Sequence, residues 1–188
     1  MSPADAKLRT GQPAEARTAL AATPQFTVTD RGYNSDETLL IRQAQAGRWE
    51  AFAELTSHYD APILALAVRL TGSQPDASEL FQRVFSTAYR ELRSYRFRCS
   101  FYLWIYRIVV RTSIEFLKQE SRKVGPAVMP IDAALAQLSA RERLVFELKH
   151  NFGLKLETIA AILETSEAIA RNTFLRAVMM LRLGQSSG

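Results

Sequence analysis

Pro75-Asp-Ala-Ser-Glu-Leu-Phe-Gln-Arg-Val-Phe-Ser-Thr-Ala-Tyr-Arg-Glu-Leu92 reads as one amphipathic helix. Leu80, Val84, Ala88 and Leu92 recur at spacings of four, with Phe81 and Phe85 beside them, so one side of the cylinder is apolar. The other side carries Asp76, Glu79, Gln82 and Arg83. An apolar stripe of this kind needs further elements to cover it, and the flanking sequence supplies helices in both directions.

Upstream, Leu39, Leu40, Gln43 and Ala44 form a short helix stopped by Gly47. A longer one follows, with Phe52, Leu55, Tyr59, Ile63, Leu66 and Leu70 at spacings of three and four. Pro62 lies inside it, where it removes a backbone hydrogen bond and favours a kink; Thr71-Gly72-Ser73 ends it. Downstream, Ser94 to Cys99 is a basic loop. Ser100 caps a helix running to about Arg122, with Phe101, Trp104 or Ile105, Ile108 and Thr112 as its inner stripe. Residues 123–131, with Gly125, Pro126 and Pro130, form a linker. Four shorter helices are expected beyond it. Asp132 to Leu138 is the first. Ser139-Ala-Arg-Glu142 is a capping box opening the second, which runs to about Asn151 before Gly153. Leu156 to Leu163 is the third, and Ser166 caps a fourth that ends at Gly184.

No alternating strand pattern occurs, so the expected class is all-α. Two small helical domains, 35–122 and 132–188, are joined by a short flexible linker. Residues 1–34, rich in Ala, Thr, Pro and Gln, read as a disordered extension with at most a short helix near Ala14 to Ala21.

The 188 residues are 47% hydrophobic and 23% charged, with a net charge of +5. A basic sum favours an acidic polymer as partner, although a solvated basic face gives the same total. Cys99 is the only cysteine, which excludes an intramolecular disulfide and a cysteine-based zinc site. No signal-peptide pattern and no membrane-spanning apolar run are present. A cytoplasmic protein is expected. His58 and His150 lack metal-ligand spacing, and there is no glycine-rich phosphate loop or nucleophile motif. Neither an enzyme nor a cofactor or metal is expected.

The positive signal is chemical. Tyr95-Arg-Phe-Arg-Cys-Ser-Phe-Tyr-Leu-Trp-Ile-Tyr-Arg-Ile-Val-Val-Arg111 interleaves six aromatics with arginines. Arginine grips phosphate, and an aromatic face stacks on an unpaired base. Arg93, Arg96 and Arg98 suit the backbone of a separated strand. Tyr95, Phe97 and Tyr102 suit a flipped base. Arg107, Arg111 and Lys118 fall on one helical stripe. Trp104, Phe101 and Tyr106 fit the core better than DNA.

Leu156 to Leu183 has helix-turn-helix spacing. Ile159, Ala160 and Leu163 line the first helix and Glu164-Thr165-Ser166 is the turn. Ala170, Phe174, Ala177 and Leu181 form the buried stripe of the second helix, leaving Arg171, Asn172 and Arg176 outward for a major groove. A plain helical hairpin with a solvated charged face has the same pattern.

From Ser35 to Leu183 the chain resembles the extracytoplasmic-function (ECF) group of the sigma-70 superfamily of bacterial sigma factors. Five stretches carry the resemblance. They are Ala46-Gly-Arg-Trp-Glu-Ala-Phe52, Asp76 to Phe85, Phe101-Tyr-Leu-Trp-Ile-Tyr-Arg-Ile108, Leu138-Ser-Ala-Arg-Glu-Arg-Leu-Val-Phe146, and Glu157-Thr-Ile-Ala160 with Ser166 and Arg176-Ala177. Their order and spacing make the combination specific.

The resemblance implies a non-catalytic, monomeric subunit that joins core RNA polymerase, with an anti-sigma protein as inhibitor. The first domain would hold the polymerase clamp through Asp76, Glu79, Gln82 and Arg83. It would open the −10 promoter element with Arg93, Tyr95, Arg96, Phe97, Arg98, Tyr102, Arg107, Arg111 and Lys118. The second would bind the −35 element with Ser166, Arg171, Asn172 and Arg176. Arg83, Arg111 and Thr173 depart from the family's usual acidic, asparagine and basic residues. Ser78 and Lys155 depart as well, Ser78 from an acidic residue and Lys155 from a helix cap. These departures leave open a second reading, a sigma-like protein that binds polymerase or an anti-sigma partner and recognises promoters poorly. A third reading, an autonomous dimeric repressor, lacks an obvious dimer helix.

Overall fold

The computed structural model describes residues 35–123 and 137–185, and side chains within 35–120 and 137–183. The extension 1–34, most of the linker and most of the helix expected over Asp132 to Leu138 lie outside the described residues. What is described is helical, with no strand. The helices are α1 (Ser35–Gln45), α2 (Trp49–Thr71), α3 (Gln74–Glu91), α4 (Phe101–Lys123), α5 (Ala140–Phe146), α6 (Leu156–Ile162) and α7 (Glu167–Gln185). A 3₁₀ turn (Leu92–Ser94) follows α3 and a π turn (Glu147–Asn151) follows α5.

The first lobe is α1 to α4. α3 buries Ala77, Leu80, Phe81, Val84, Phe85 and Ala88, the stripe read from spacing. It packs on α2 and α4, and α1 packs on α2. Burying a leucine or phenylalanine side chain of this stripe contributes roughly 1.5–3 kcal/mol. α2 continues through Pro62 to Thr71. It ends at Gly72, whose φ of +68° is the left-handed conformation of a helix C-cap, and the Gly72 N–H donates to the Val68 carbonyl.

α4 buries Phe101, Ile105, Ile108 and Thr112 as expected, and also Tyr106, Val109, Val110, Ser113, Phe116 and Leu117. The wider buried surface has a reason. α4 packs against α2 and α3, and against α5 and α6 of the second lobe. Leu144, Val145, Leu148, Ile159 and Ile162 join the same apolar cluster. The two lobes therefore share one core, which the sequence reading of two lobes and a hinge did not anticipate.

The second-lobe helix opening at Ser139 is not a single α-helix to Asn151. After Phe146 it widens into the π turn, and the Phe152 N–H donates to the Glu147 carbonyl at 3.1 Å. Glu147 and Leu148 are both buried there. Among the described residues, no helix is long and apolar enough to cross a membrane.

The capping box at α5 is complete. The Glu142 N–H donates to Ser139 Oγ at 3.3 Å, and the Ser139 N–H donates to Glu142 Oε2 at 3.0 Å. These Ser139 hydrogen bonds, with Arg176 nearby, hold the Glu142 carboxyl below its ordinary value. A depressed carboxyl contributes stability above its unfolded pKa and loses it as pH falls through the folded one. Ser139→Ala is expected to cost about 1 kcal/mol at neutral pH, read by urea denaturation. The penalty should shrink once acid protonates Glu142; a penalty that persists unchanged in acid contradicts this account of the cap.

Candidate nucleic-acid and polymerase interface

The turn between α3 and α4 is pinned from outside. The Gln45 side-chain amide, on α1, donates to the Leu92 carbonyl at 3.0 Å and to the Tyr95 carbonyl at 2.9 Å. The Tyr95 hydroxyl donates to the Cys99 carbonyl at 2.6 Å, closing the loop at its other end. Phe97 lies between these ties at φ +56°, a conformation that non-glycine residues adopt only under constraint. Its ring sits 4.9 Å from that of Tyr95, and the Arg42 guanidinium lies over it at 5.8 Å.

This framing corrects one expectation. Tyr95 is only 3% exposed. Its ring packs against Trp104 at 5.2 Å and Phe101 at 6.0 Å, so its faces are occupied by its own core and offer no platform to a base. Phe97 is half-buried, while Arg93, Arg96 and Arg98 are exposed around it. The Arg96 guanidinium donates to the Arg93 carbonyl at 2.8 Å. Tyr102 is half-buried in a tyrosine cluster, 4.6 Å from Tyr106 and 6.4 Å from Tyr59. Burial pushes all three phenols well above their ordinary value. They remain neutral and add no charge beside a phosphate. Trp104 is half-buried, and Phe101 and Tyr106 are core, as expected.

The basic stripe of α4 is present with its two arginines engaged. Arg111 donates to both carboxylate oxygens of Glu91 at 2.6 and 2.7 Å. Arg107 turns to the second lobe, where it meets the Ala161 carbonyl and pairs with Glu164 at 3.2 Å. Lys118 is exposed.

The polar face of α3 is exposed at Glu79 and partly exposed at Asp76, Gln82 and Arg83. Arg83 is held by Glu79 at 2.5 Å and Gln119 at 2.8 Å, and lies over the Phe116 ring at 5.1 Å. It lines a groove between α3 and α4 with Glu79, Gln82, Glu91, Arg111 and Glu115.

In the second lobe α6 and α7 meet at the turn 163–166, where the Thr165 N–H donates to the Ala160 carbonyl at 3.0 Å. Ser166 caps α7 by accepting from the Ile169 N–H at 3.3 Å. Lys155 stands at the N-cap of α6 and makes no side-chain cap bond. Ala170 and Ala177 are buried, and Phe174 and Leu181 half-buried. Arg171, Asn172 and Arg176 point outward. Arg171 pairs with Glu167 on its own helix, and Arg176 with Glu142 at 3.3 Å. Spacing missed a second row on α7. Leu175, Met179, Met180 and Leu183 are exposed and apolar.

Two family models match this arrangement in chain order: Sigma-70 region 2 on residues 55–123 and Sigma-70, region 4 on residues 129–181. The ECF RNA polymerase sigma-E factor of Haemophilus influenzae is 28% identical over a 173-residue alignment covering 76% of this chain and 91% of that protein. The chain belongs to the ECF group of the sigma-70 family. The sigma-E factor of Escherichia coli K12 is also 28% identical, covering 75% of this chain and 90% of its own length.

Two solved structures share the fold. One is CnrH in complex with the cytosolic domain of CnrY, with a TM-score of 0.61 and 22% identity over 81% of this chain and 98% of that one. The other is the sigma factor RpoE in complex with the anti-sigma factor NepR from Bartonella quintana, at 0.56 and 19% over 72% and 96%. As a sigma factor the chain directs transcription initiation with RNA polymerase.

Gln45 was absent from the sequence-level site because it touches backbone carbonyls, which leave no trace in side-chain patterning. Gln45→Ala removes one donor group from two partly buried carbonyls and is expected to cost about 1–3 kcal/mol. Thermal unfolding measures the loss, and amide exchange in 92–97 should rise more than in α2. An unchanged exchange pattern contradicts the pinning role.

Proposed function

We propose that the first lobe seats on the polymerase clamp through the α3 face of Asp76, Glu79, Gln82 and Arg83. It opens the −10 element at the α3–α4 loop, and the second lobe reads the −35 duplex through Ser166, Arg171, Asn172 and Arg176. The observation that carries this reading is the loop itself. Three exposed arginines surround a constrained aromatic, and the loop is tied to α1 so that it meets DNA preformed. Phosphate contacts fix a strand while an aromatic receives the extruded base, repaying lost stacking. Phe97 takes that role here, with Tyr102 behind it. The chain acts in the cytoplasm as a monomeric, non-catalytic subunit without a cofactor. An anti-sigma protein holds it inactive; the exposed apolar row of α7 supports a protein partner.

A second reading has its own support. Arg83, Arg111 and Arg171 each pair with an acidic residue, which reduces the charge free for a clamp or a phosphate. A sigma-like protein that binds polymerase and recognises promoters poorly fits that pairing. Run-off transcription separates the two readings. Transcripts from a promoter support the first, and polymerase binding without transcripts supports the second.

Arg96→Ala with Arg98→Ala should reduce promoter opening, read by permanganate reactivity, by at least about tenfold, the order expected from losing two phosphate contacts. Polymerase binding should be nearly unchanged; equal losses in both contradict the loop assignment. Arg171→Ala should weaken duplex binding without altering polymerase affinity, and unchanged duplex affinity removes Arg171 from the reading face.

A further inference from the structure

Helix α1 reaches the α3–α4 loop at two points. Gln45 holds the Leu92 and Tyr95 carbonyls at 3.0 and 2.9 Å. Arg42 stands three residues earlier, so the two side chains are neighbours on one helix face. The Arg42 guanidinium lies over the Phe97 ring, 5.8 Å from its centroid. In the sequence Arg42 is an ordinary charge in the last turn of a short helix, and nothing in its spacing ties it to the loop.

Three observations set this pair apart. Phe97 sits at φ +56°, where glycine is unstrained and a residue with a β-carbon is not. Strain of this kind persists where the surroundings hold it, and it clusters at ligand clamps. The second observation is charge. Arg42 is exposed. Among the described residues no carboxylate pairs with its guanidinium, whereas Arg83, Arg107, Arg111, Arg171 and Arg176 are each paired.

The third is the gap. Stacked bases of a strand rise by about 3.4 Å, so two such spacings, about 7 Å, hold one base between two planar groups. At 5.8 Å the guanidinium is too far for flat contact with the ring and short of that width by only about 1 Å. An exposed arginine supplies the difference by turning its side chain. Tyr95, 4.9 Å from Phe97, belongs to the core and stays in place.

We propose that Arg42 is a further DNA-binding residue, the second wall of the base site. Its guanidinium lifts off Phe97 and closes on the outer face of the unpaired base, which ring and guanidinium then hold between them. The inference rests on the proposed function and deepens it. A guanidinium is planar, weakly hydrated and stacks on aromatic faces; a lysine ammonium does none of these. Its contact with Phe97 is weak at an exposed site, so a base displaces it without breaking an ion pair. Every base has a π face, so this wall adds grip on whichever base enters and little choice among bases.

The test uses holoenzyme assembled from core polymerase and the full chain. A random pool of short single-stranded DNA gives the sequence it prefers. An abasic site moved along that sequence finds the position where loss of the base weakens binding most. Arg42→Lys keeps the charge and removes the planar wall. It should weaken binding of the intact strand by about fivefold, the order of a stacked guanidinium. The strand abasic at that position should bind as it does to the parent. The salt dependence should also match the parent's, because no charge is lost. Amide exchange in 92–97 of the free chain should be unchanged, since Gln45 carries the pinning.

Unchanged affinity of Arg42→Lys for the intact strand overturns the proposal. So does an equal loss on intact and abasic strands, which makes the contact independent of the base. Faster exchange in 92–97 makes Arg42 a brace for the loop and overturns it too. Phe97→Gly, which removes ring and strain together, separates the proposal from the reading beneath it. If Phe97→Gly loses nothing at the abasic-sensitive position, or no such position exists, the base site of the proposed function fails and its second wall with it. If Phe97→Gly shows the base-dependent loss and Arg42→Lys does not, only the proposal fails.

Discussion

Everything in this molecule is arranged around a helix that is covered from two directions. α4 begins with Phe101 under the α3–α4 loop and buries Ile105, Tyr106, Ile108, Val109 and Val110 in its middle and Phe116 and Leu117 near its end. A helix covered on one face shows a stripe; one covered from two directions shows a nearly continuous apolar surface. α4 approaches the second kind and keeps only a polar strip through Arg111, Glu115, Lys118 and Gln119 in the open. It frames the first lobe, carries Arg107 and Arg111 and receives α5 and α6. The position of the loop, the groove beside α3 and the seat of the helix-turn-helix all follow from how it is packed.

Much of this was legible in the chain. The spacings of α2 and α3, the capping box at Ser139 and the helix-turn-helix stripe of Ala170 and Ala177 are local patterns with a fixed period, and the structure carries them. The shared core was not. The stripe Phe101, Ile105, Ile108 and Thr112 satisfied a single packing partner. The extra residues Val109, Val110, Ser113 and Phe116 were the visible sign of a second, but sequence alone does not say what covers them. Glu147 reads as an ordinary helix charge until the π turn brings it into the interior. Tyr95 looked like a base platform because it sits in an arginine-rich loop. Its position four residues past the end of α3 tucks it beneath the loop.

The candidate interface is less charged in practice than its composition implies. Arg83, Arg107, Arg111, Arg171 and Arg176 each have a carboxylate partner. Pairs this exposed are individually weak, about 0–1 kcal/mol, so a phosphate backbone can displace the carboxylate. Such a surface favours exchange of partners over tight non-specific adhesion. Arg93, Arg96 and Arg98 differ in kind. They ring a loop whose backbone is fixed before any ligand arrives.

The burial of Glu147 makes the chain respond unevenly to ionic strength. Counterions screen outward-facing guanidinium groups, and grip on a polyanion weakens as they accumulate. A carboxylate sealed from solvent and paired with Arg69 of α2 is shielded far less. Raising salt therefore loosens contacts with nucleic acid sooner than it loosens the seam where α2 meets the π turn. High ionic strength leaves that seam intact while discouraging casual encounters with a polyanion.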